Sequence, residues 1–285
     1  MRFLILGCNG MAGHMIAIYL KEKGHDVTGY ARKKSSYVNT IIGDVTDFAK
    51  LAENITNGKY DTVINCVGIL NQFAEADHAG AVLMNGYLPH FLARVTSDMD
   101  TQIIQMSTDC VFSGKTGGYT EASVPDGTTF YDRTKAIGEL NDHKNVTFRN
   151  SIVGPDINVN GIGLLNWFMK QTNSAYGFTG AIWTGQTTLQ LAKTMEAAAQ
   201  DRISGLYNMV PNGNISKYEL LKLFNKYIRK NTIDIIPKDD FIADKTLVRT
   251  NYEGFSYIIP DYETMVRELG QWMREHRALY PQYDL

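Results

Sequence analysis

Short apolar runs alternate with segments of helical periodicity through the first half of the chain. Residues 2–6, Arg-Phe-Leu-Ile-Leu, form an apolar run that stops at Gly7, and from Met11 to Lys23 apolar residues recur at helical spacing until Gly24. This reads as strand, turn, helix. Asp26-Val27-Thr28-Gly29-Tyr30, Thr62-Val63-Ile64-Asn65-Cys66-Val67 and Gln102-Ile103-Ile104-Gln105-Met106 predict further buried strands, with helices over 47–57 and 79–97 between them. A helix near 132–142 and a strand at 146–150 follow, and Gly154-Pro155 then punctuates the chain. Strands alternating with helices predict an α/β fold built on a doubly wound parallel sheet of the Rossmann kind.

Past that punctuation the pattern changes. Helices are expected at 162–172, 187–200, 216–229 and 261–277, with short strands near 205–209 and 232–236, which together make a smaller mixed α/β lobe. The expected division is a dinucleotide-binding domain over 1–155 and a substrate-binding lobe over 156–285, with residues 180–203 packing back on the first sheet.

Composition acts by exclusion. The chain is 44% hydrophobic and 20% charged, and its 28 basic and 30 acidic side chains leave a formal charge of -2, too little to recruit nucleic acid or an anionic membrane. No apolar run approaches the roughly 20 residues of a membrane-crossing helix. Gly7, Asn9, Gly10, Gly13 and His14 interrupt the apolar start where a signal peptide would continue. The expectation is a cytoplasmic protein partnered by neither nucleic acid nor membrane, with a homodimer left open. Cys8, Cys66 and Cys110 read as reduced, buried apolar residues, and the histidine spacing assigns no metal.

Three groups of residues carry candidate chemistry. Gly7-Cys8-Asn9-Gly10-Met11-Ala12-Gly13 spaces three glycines between the first strand and its helix, where a tight turn lets backbone N–H groups approach a dinucleotide pyrophosphate. The second strand leads into Arg32, Lys33 and Lys34 where a ribose-binding acid would favour NAD, so a 2′-phosphate and hence NADP(H) is expected, a solvated basic loop being the rival reading. Asp44, before Val45, is placed to accept from an adenine amine or to close a surface turn. The third group is Ser107-Thr108-Asp109 after a strand, followed by Tyr131-Asp132-Arg133-Thr134-Lys135 at a helix start. Tyr131 and Lys135, four apart, share a helix face, and a phenol needs such a cation to exchange protons near neutrality. In the second lobe, Trp183 and Thr184 suit a sugar or base pocket, or equally a core residue and a helix cap. Arg249 is a candidate for a substrate diphosphate, or a plain surface residue.

Gly7-x-x-Gly10-x-x-Gly13, Gly43-Asp44, Ser107-Thr108-Asp109-x-Val111-Phe112-x-Gly114, Tyr119-Thr120-Glu121, Tyr131-x-x-x-Lys135-x-x-x-Glu139 and Phe148-Arg149-x-Ser151 together resemble the extended short-chain dehydrogenase/reductases, and within them the dTDP-4-dehydrorhamnose reductase branch. The resemblance implies that Thr108, Tyr131 and Lys135 are catalytic. It implies NADPH, with NADH as an option, bound by Gly7, Asn9, Gly10, Met11, Gly13, Arg32, Lys33, Asp44, Val45, Cys66, Val67 and Gly68 together with Tyr131 and Lys135. It implies a nucleotide-linked 4-keto-6-deoxy sugar as substrate, met by Ser107, Asp109, Cys110, Trp183, Thr184 and Arg249, and a place in surface polysaccharide synthesis. Two departures bear on the sugar: Cys110 stands where the rhamnose enzymes usually carry Tyr, and Val153 where they usually carry Trp. UDP-linked N-acetylated 6-deoxyhexoses are therefore expected candidates alongside dTDP-4-dehydrorhamnose. The rival readings are an epimerase or dehydratase on the same scaffold, with Asp109 as its acid, and a dinucleotide-binding regulatory protein without turnover.

Overall fold

A computed structural model describes all residues 1–285. Its first half runs β1 (Arg2–Leu6), α1 (Met11–Glu22), β2 (Asp26–Ala31), β3 (Asn39–Ile42), α2 (Phe48–Gly58), β4 (Thr62–Asn65), α3 (Asn71–Ala76), α4 (His78–Ala81), a π-helical turn (Val82–Tyr87), α5 (Leu88–Val95), β5 (Gln102–Met106), α6 (Phe130–Ile137) and β6 (Val146–Arg149). The second half runs β7 (Ser151–Val153), α7 (Leu164–Met169), β8 (Ser174–Phe178), β9 (Ala181–Trp183), β10 (Gly185–Thr187), α8 (Thr188–Gln200), β11 (Gly205–Asn208), β12 (Ile215–Ser216), α9 (Lys217–Tyr227), β13 (Asp234–Lys238), β14 (Ala243–Asp244) and α10 (Tyr262–Glu275).

Seven strands make one parallel sheet in the order β11-β6-β5-β4-β1-β2-β3. It is the expected doubly wound Rossmann-type sheet. In β1, Phe3 and Ile5 face the core that includes α1 and α8, while Leu4 and Leu6 face the core that includes α2 and α5. A strand buried on both sides must be apolar at every position, which is why β1 reads as an unbroken run.

The strand expected at 205–209 in the second lobe is β11, and it joins the main sheet beside β6. α8 packs on α1 in the same core as α9 and α10. The sheet is thus completed by residues on both sides of Gly154-Pro155. The single helix expected over 79–97 is broken into α4, the π-helical turn and α5. Its apolar spacing reads as one helix, but the wider turn rotates Asn85 inward. There Oδ1 accepts from the Ile69 amide at 2.8 Å, and Nδ2 donates to the Ile69 carbonyl at 2.9 Å and to Thr134 at 3.2 Å. The helix expected at 132–142 begins earlier and ends earlier. Thr129 and Asp132 form a capping box before Phe130, and Gly138 ends the helix where a Cβ would overlap the Asn85 carbonyl oxygen. Strands β3 and β7 to β10 escaped the pattern because they are only three to five residues long, too short for a period to show.

The packing of α1 against the end of β1 sets the shape of the glycine turn. Gly7 holds φ at +75°, and a Cβ on Gly13 would overlap the Gly7 carbonyl oxygen. A Gly13→Ala substitution should therefore destabilise the protein by about 1–3 kcal/mol through overpacking. Gly10→Ala, whose added carbon would lie 3.3 Å from that oxygen, should cost less. Urea unfolding checks both, and equal stability of Gly13→Ala and wild type would contradict the close approach.

Candidate active site

The strand order reverses at β1 and β4, and the singled-out residues of the first half, Tyr131 and Lys135 on α6 aside, follow the carboxyl ends of β1, β4, β2, β3 and β5. Ligands in open α/β sheets bind in the crevice at such a reversal. The Gly7 turn abuts the next strand end directly, since a Cβ on Gly7 would press on the Val67 side chain and on the Cys66 carbonyl. α1 begins at Met11 with Gly10 as its N-cap, and no side chain caps its first amides. A turn too tight for side chains, at an uncapped helix start, fits a pyrophosphate that brings its own acceptors.

Asn9 braces this turn. Its Nδ2 donates to the Lys33 carbonyl at 2.8 Å and its Oδ1 accepts from the Tyr37 hydroxyl at 3.1 Å, which ties the glycines to the basic loop. The Arg32 and Lys33 side chains are exposed on that loop and supply the charge a 2′-phosphate requires. Asp44 is exposed, and its Oδ1 accepts from the Thr46 amide and hydroxyl at 3.0 and 2.8 Å. Those hydrogen bonds hold its carboxyl below the usual range. Val45 is buried in the core with α2, and Gly68 is exposed beyond β4. Neither Cys66 nor Cys110 is fully buried, unlike Cys8, and all three thiols are unbridged.

Lys135 reaches across from α6 to donate to the Met106 carbonyl at the end of β5, at 2.6 Å. Just beyond that carbonyl, Thr108 caps a 3₁₀ turn over Asp109–Val111, accepting from the Cys110 amide at 3.1 Å and donating to Asp109 Oδ1 at 3.0 Å. Burial raises the Tyr131 phenol above the ordinary tyrosine value, Cys110 adds to the rise, and a hydrogen bond with the Thr108 side chain opposes it. Burial pushes the Lys135 ammonium down to about 8 against the contrary pull of Glu139. Tyr131 and Lys135 thus lie one helical turn apart on α6, the phenol beside Thr108 and the ammonium at the carbonyl two residues before it. Near neutrality the phenol keeps its proton, the lysine keeps its charge, and the pair can give a proton to an oxygen that is gaining electrons.

A buried ion pair fixes this arrangement. Arg149 at the end of β6 donates from Nε and Nη2 to the two oxygens of Glu139, both at 2.8 Å, with side-chain exposures of only 3% and 8%. The Ser107 hydroxyl donates to the same Glu139 carboxylate at 2.7 Å. Arg149 also lies over the Phe112 ring, 5.1 Å from its centre.

Several expected substrate contacts are employed elsewhere. The Ser107 hydroxyl is committed to Glu139, so it positions the turn and does not face a ligand. Thr184 is buried and accepts from the Leu247 amide at 2.9 Å, while the cap of α8 is Thr187. Arg249 donates to the Asn251 and Tyr257 carbonyls at 2.9 and 2.7 Å and to that of Phe255, with its guanidinium over Tyr252. It fastens a loop, because a chain segment with few strand partners must find donors for its carbonyls. Asp109, Cys110 and Trp183 remain at the site or beside it. Burial pushes the Asp109 carboxyl up, against Thr108, Lys217 and Lys245. Asn85 and Lys217 were missed in the sequence. A π-helical turn leaves the apolar spacing of Asn85 unremarkable, and Lys217 meets Asp109 only through folding over a long chain separation.

The family described as RmlD substrate binding domain matches residues 1–245. The chain belongs to this family. Among its curated relatives, a dTDP-4-keto-6-deoxy-D-glucose reductase of Streptomyces niveus is 25% identical over 78% of this chain and 77% of that protein. A dTDP-4-dehydrorhamnose reductase of Streptomyces griseus is 31% identical over 48% of this chain and 43% of that protein. In most of the curated relatives the match spans under half of the relative's length. The RmlD-family chain also shares its fold with a dTDP-4-dehydrorhamnose reductase of Bacillus anthracis solved with NADP, at a TM-score of 0.78 and 19% identity over 94% of this chain and 98% of the other. Bordetella bronchiseptica WbmG, solved with NAD and UDP, gives 0.77 and 17% over 97% and 96%.

Removing one partner of the buried pair strands the other charge. Glu139→Gln should lower stability by about 3–5 kcal/mol, read from denaturant midpoints. A loss under about 1 kcal/mol, the usual worth of an exposed pair, would show that the pair does not carry the turn.

Proposed function

We propose that this chain reduces the 4-keto group of a nucleotide-activated 6-deoxyhexose with NADPH, in the synthesis of surface polysaccharide. The observation that carries the reading is the placement of the Tyr131 phenol, the Lys135 ammonium and the Thr108 hydroxyl beside an uncapped glycine turn. Family membership supports it, as do the reductase activities for which the Streptomyces relatives are named and a spore coat polysaccharide biosynthesis protein of Bacillus subtilis, 26% identical over 140 residues. The NADP bound in the Bacillus anthracis structure and the UDP bound in the Bordetella structure support the cofactor and nucleotide classes.

A bound reduced nicotinamide supplies the hydride for such a reaction. The remaining work belongs to the chain. The Thr108 hydroxyl turns from Asp109 to donate to the carbonyl oxygen, Tyr131 hands that oxygen its proton, and Lys135 stabilises the phenolate left behind. The Gly7 turn and the α1 amides hold the pyrophosphate, and Arg32 with Lys33 holds the 2′-phosphate. The sugar is dTDP-4-dehydrorhamnose or a UDP-linked N-acetylated 4-keto-6-deoxyhexose. Cys110 and Val153 favour a sugar other than rhamnose's precursor, because they remove aromatic surface. Net consumption of NADPH separates this reading from an epimerase or dehydratase. A relative named methionine adenosyltransferase 2 subunit beta, from Xenopus tropicalis and 29% identical over 143 residues, keeps the dinucleotide-binding regulator in view.

Absorbance at the reduced nicotinamide, followed with a panel of dTDP-, UDP- and GDP-linked 4-keto-6-deoxyhexoses, should fall for at least one member. No oxidation with any of them, while NADPH still binds, would favour the regulator. Tyr131→Phe should bind NADPH as wild type does and lose turnover by about 100-fold or more. Lys135 must be charged to act, and burial holds it at about 8, so turnover should fall as pH rises through that value. Lys135→Arg, which stays charged, should lose that alkaline limb; a limb unchanged in the variant would assign it to another group.

A further inference from the structure

Lys217 is the first residue of α9, where the helix dipole places partial positive charge and a cation is disfavoured. It is half-buried, and its ammonium makes no hydrogen bond or ion pair within the chain. Its Nζ lies over the Trp183 ring, 4.6 Å from the centre. The Trp183 indole N–H is itself buried with no partner, in a residue only 4% exposed. Both Asp109 and Cys110, the residues immediately after Thr108, feel the Lys217 charge. Lys245, the second cation acting on Asp109, also lacks a hydrogen-bond partner. A buried donor without an acceptor costs roughly 1–3 kcal/mol, so the Trp183 indole N–H is a donor left open beside an ammonium that the chain does not pair.

We propose that Lys217 is a sugar-recognition residue: with Asp109 opposite, it holds a neutral substituent of the hexose that accepts from the ammonium and donates to the carboxylate. This rests on the reductase reading above and adds to it the side of the pocket that chooses the sugar. A diphosphate is a poor match at this place, because the Asp109 carboxylate would repel it. A ring hydroxyl or an amide satisfies both partners at once. The arrangement rejects a sugar that lacks the substituent, since Lys217 and Asp109 would then be left facing each other without a bridge. The Lys217 ammonium lies over the Trp183 ring, and Met at this position, an unbranched chain of similar length, covers the ring and removes the charge.

The test compares wild type, Lys217→Met and Lys217→Arg by calorimetric titration. NADPH-saturated protein is titrated with UDP, dTDP, UDP-N-acetylglucosamine, dTDP-glucose and their deoxy analogues. Lys217→Met should weaken the preferred nucleotide sugar by about tenfold or more, leave the free nucleoside diphosphates and NADPH unchanged, and bind the deoxy analogue as wild type does. Lys217→Arg should recover part of the loss. Equal weakening of nucleotide and nucleotide sugar would place Lys217 at the diphosphate and overturn the proposal. Unchanged sugar binding in Lys217→Met would overturn it too, as would a melting temperature so lowered that the helix start itself has failed. Wild-type protein that binds NADPH but no nucleotide sugar would remove the reductase reading and this inference together.

Discussion

The carboxylate of Glu139 holds the candidate site together. It lies just past the end of α6, accepts two parallel hydrogen bonds from Arg149 at the end of β6, and accepts a third from Ser107 at the end of β5. A buried carboxylate is costly unless its lone pairs are filled, and here Arg149 and Ser107 fill three of them with charge-assisted or short hydrogen bonds. Because the three donors and acceptors come from three different elements, none of these elements can shift without leaving a charge uncompensated. Thr108 follows Ser107 by one residue and Lys135 precedes Glu139 by one helical turn, so the rigidity passes directly to the chemistry.

The same low-dielectric surroundings set the proton affinities. Burial raises the Tyr131 phenol and lowers the Lys135 ammonium, so two groups of similar ordinary proton affinity are driven apart and the phenol is the one that holds its proton more tightly. Glu139 works against burial at Lys135, keeping the cation charged in a place that would otherwise discharge it. Thr108 works against burial at Tyr131. Each group thus has one neighbour that limits how far desolvation can move it, and those neighbours are the residues that position the turn and the helix.

Much of this was legible before folding was considered, and the reasons are local. The glycine turn announces itself because Gly7 needs a positive φ and Gly13 must meet a carbonyl oxygen without a side chain. Tyr131 and Lys135 announce themselves because helical spacing alone puts them on one face. β1 is apolar from Phe3 to Leu6, and β4 and β5 are apolar at Val63–Ile64 and Ile103–Ile104, because both their faces are covered. What was not legible depends on long-range contacts. In sequence Ser107 reads as a ligand hydroxyl, whereas in the fold it donates a hydrogen bond to Glu139, and Arg249 reads as a phosphate ligand, whereas in the fold it donates to three carbonyls. β11 read as part of the second lobe because pairing with β6 leaves no trace in its own four residues.

The second half of the chain is thereby more than an appended lobe. β11 closes the sheet at the edge where Arg149 lies, and the Asn208 amide at its end donates to Glu121 at 3.0 Å. The other Glu121 oxygen accepts from the amide and hydroxyl of Thr250 at 2.9 and 2.6 Å, and the Glu121 carbonyl accepts from Arg149 at 3.4 Å. A hydrogen-bonded path therefore runs from the loop after β14 through Glu121 to the Arg149–Glu139 pair and on to the Thr108 turn. Displacing the lobe would have to break bonds to a buried guanidinium, so the lobe is held in register with the Thr108 turn by the same electrostatics that hold the turn itself.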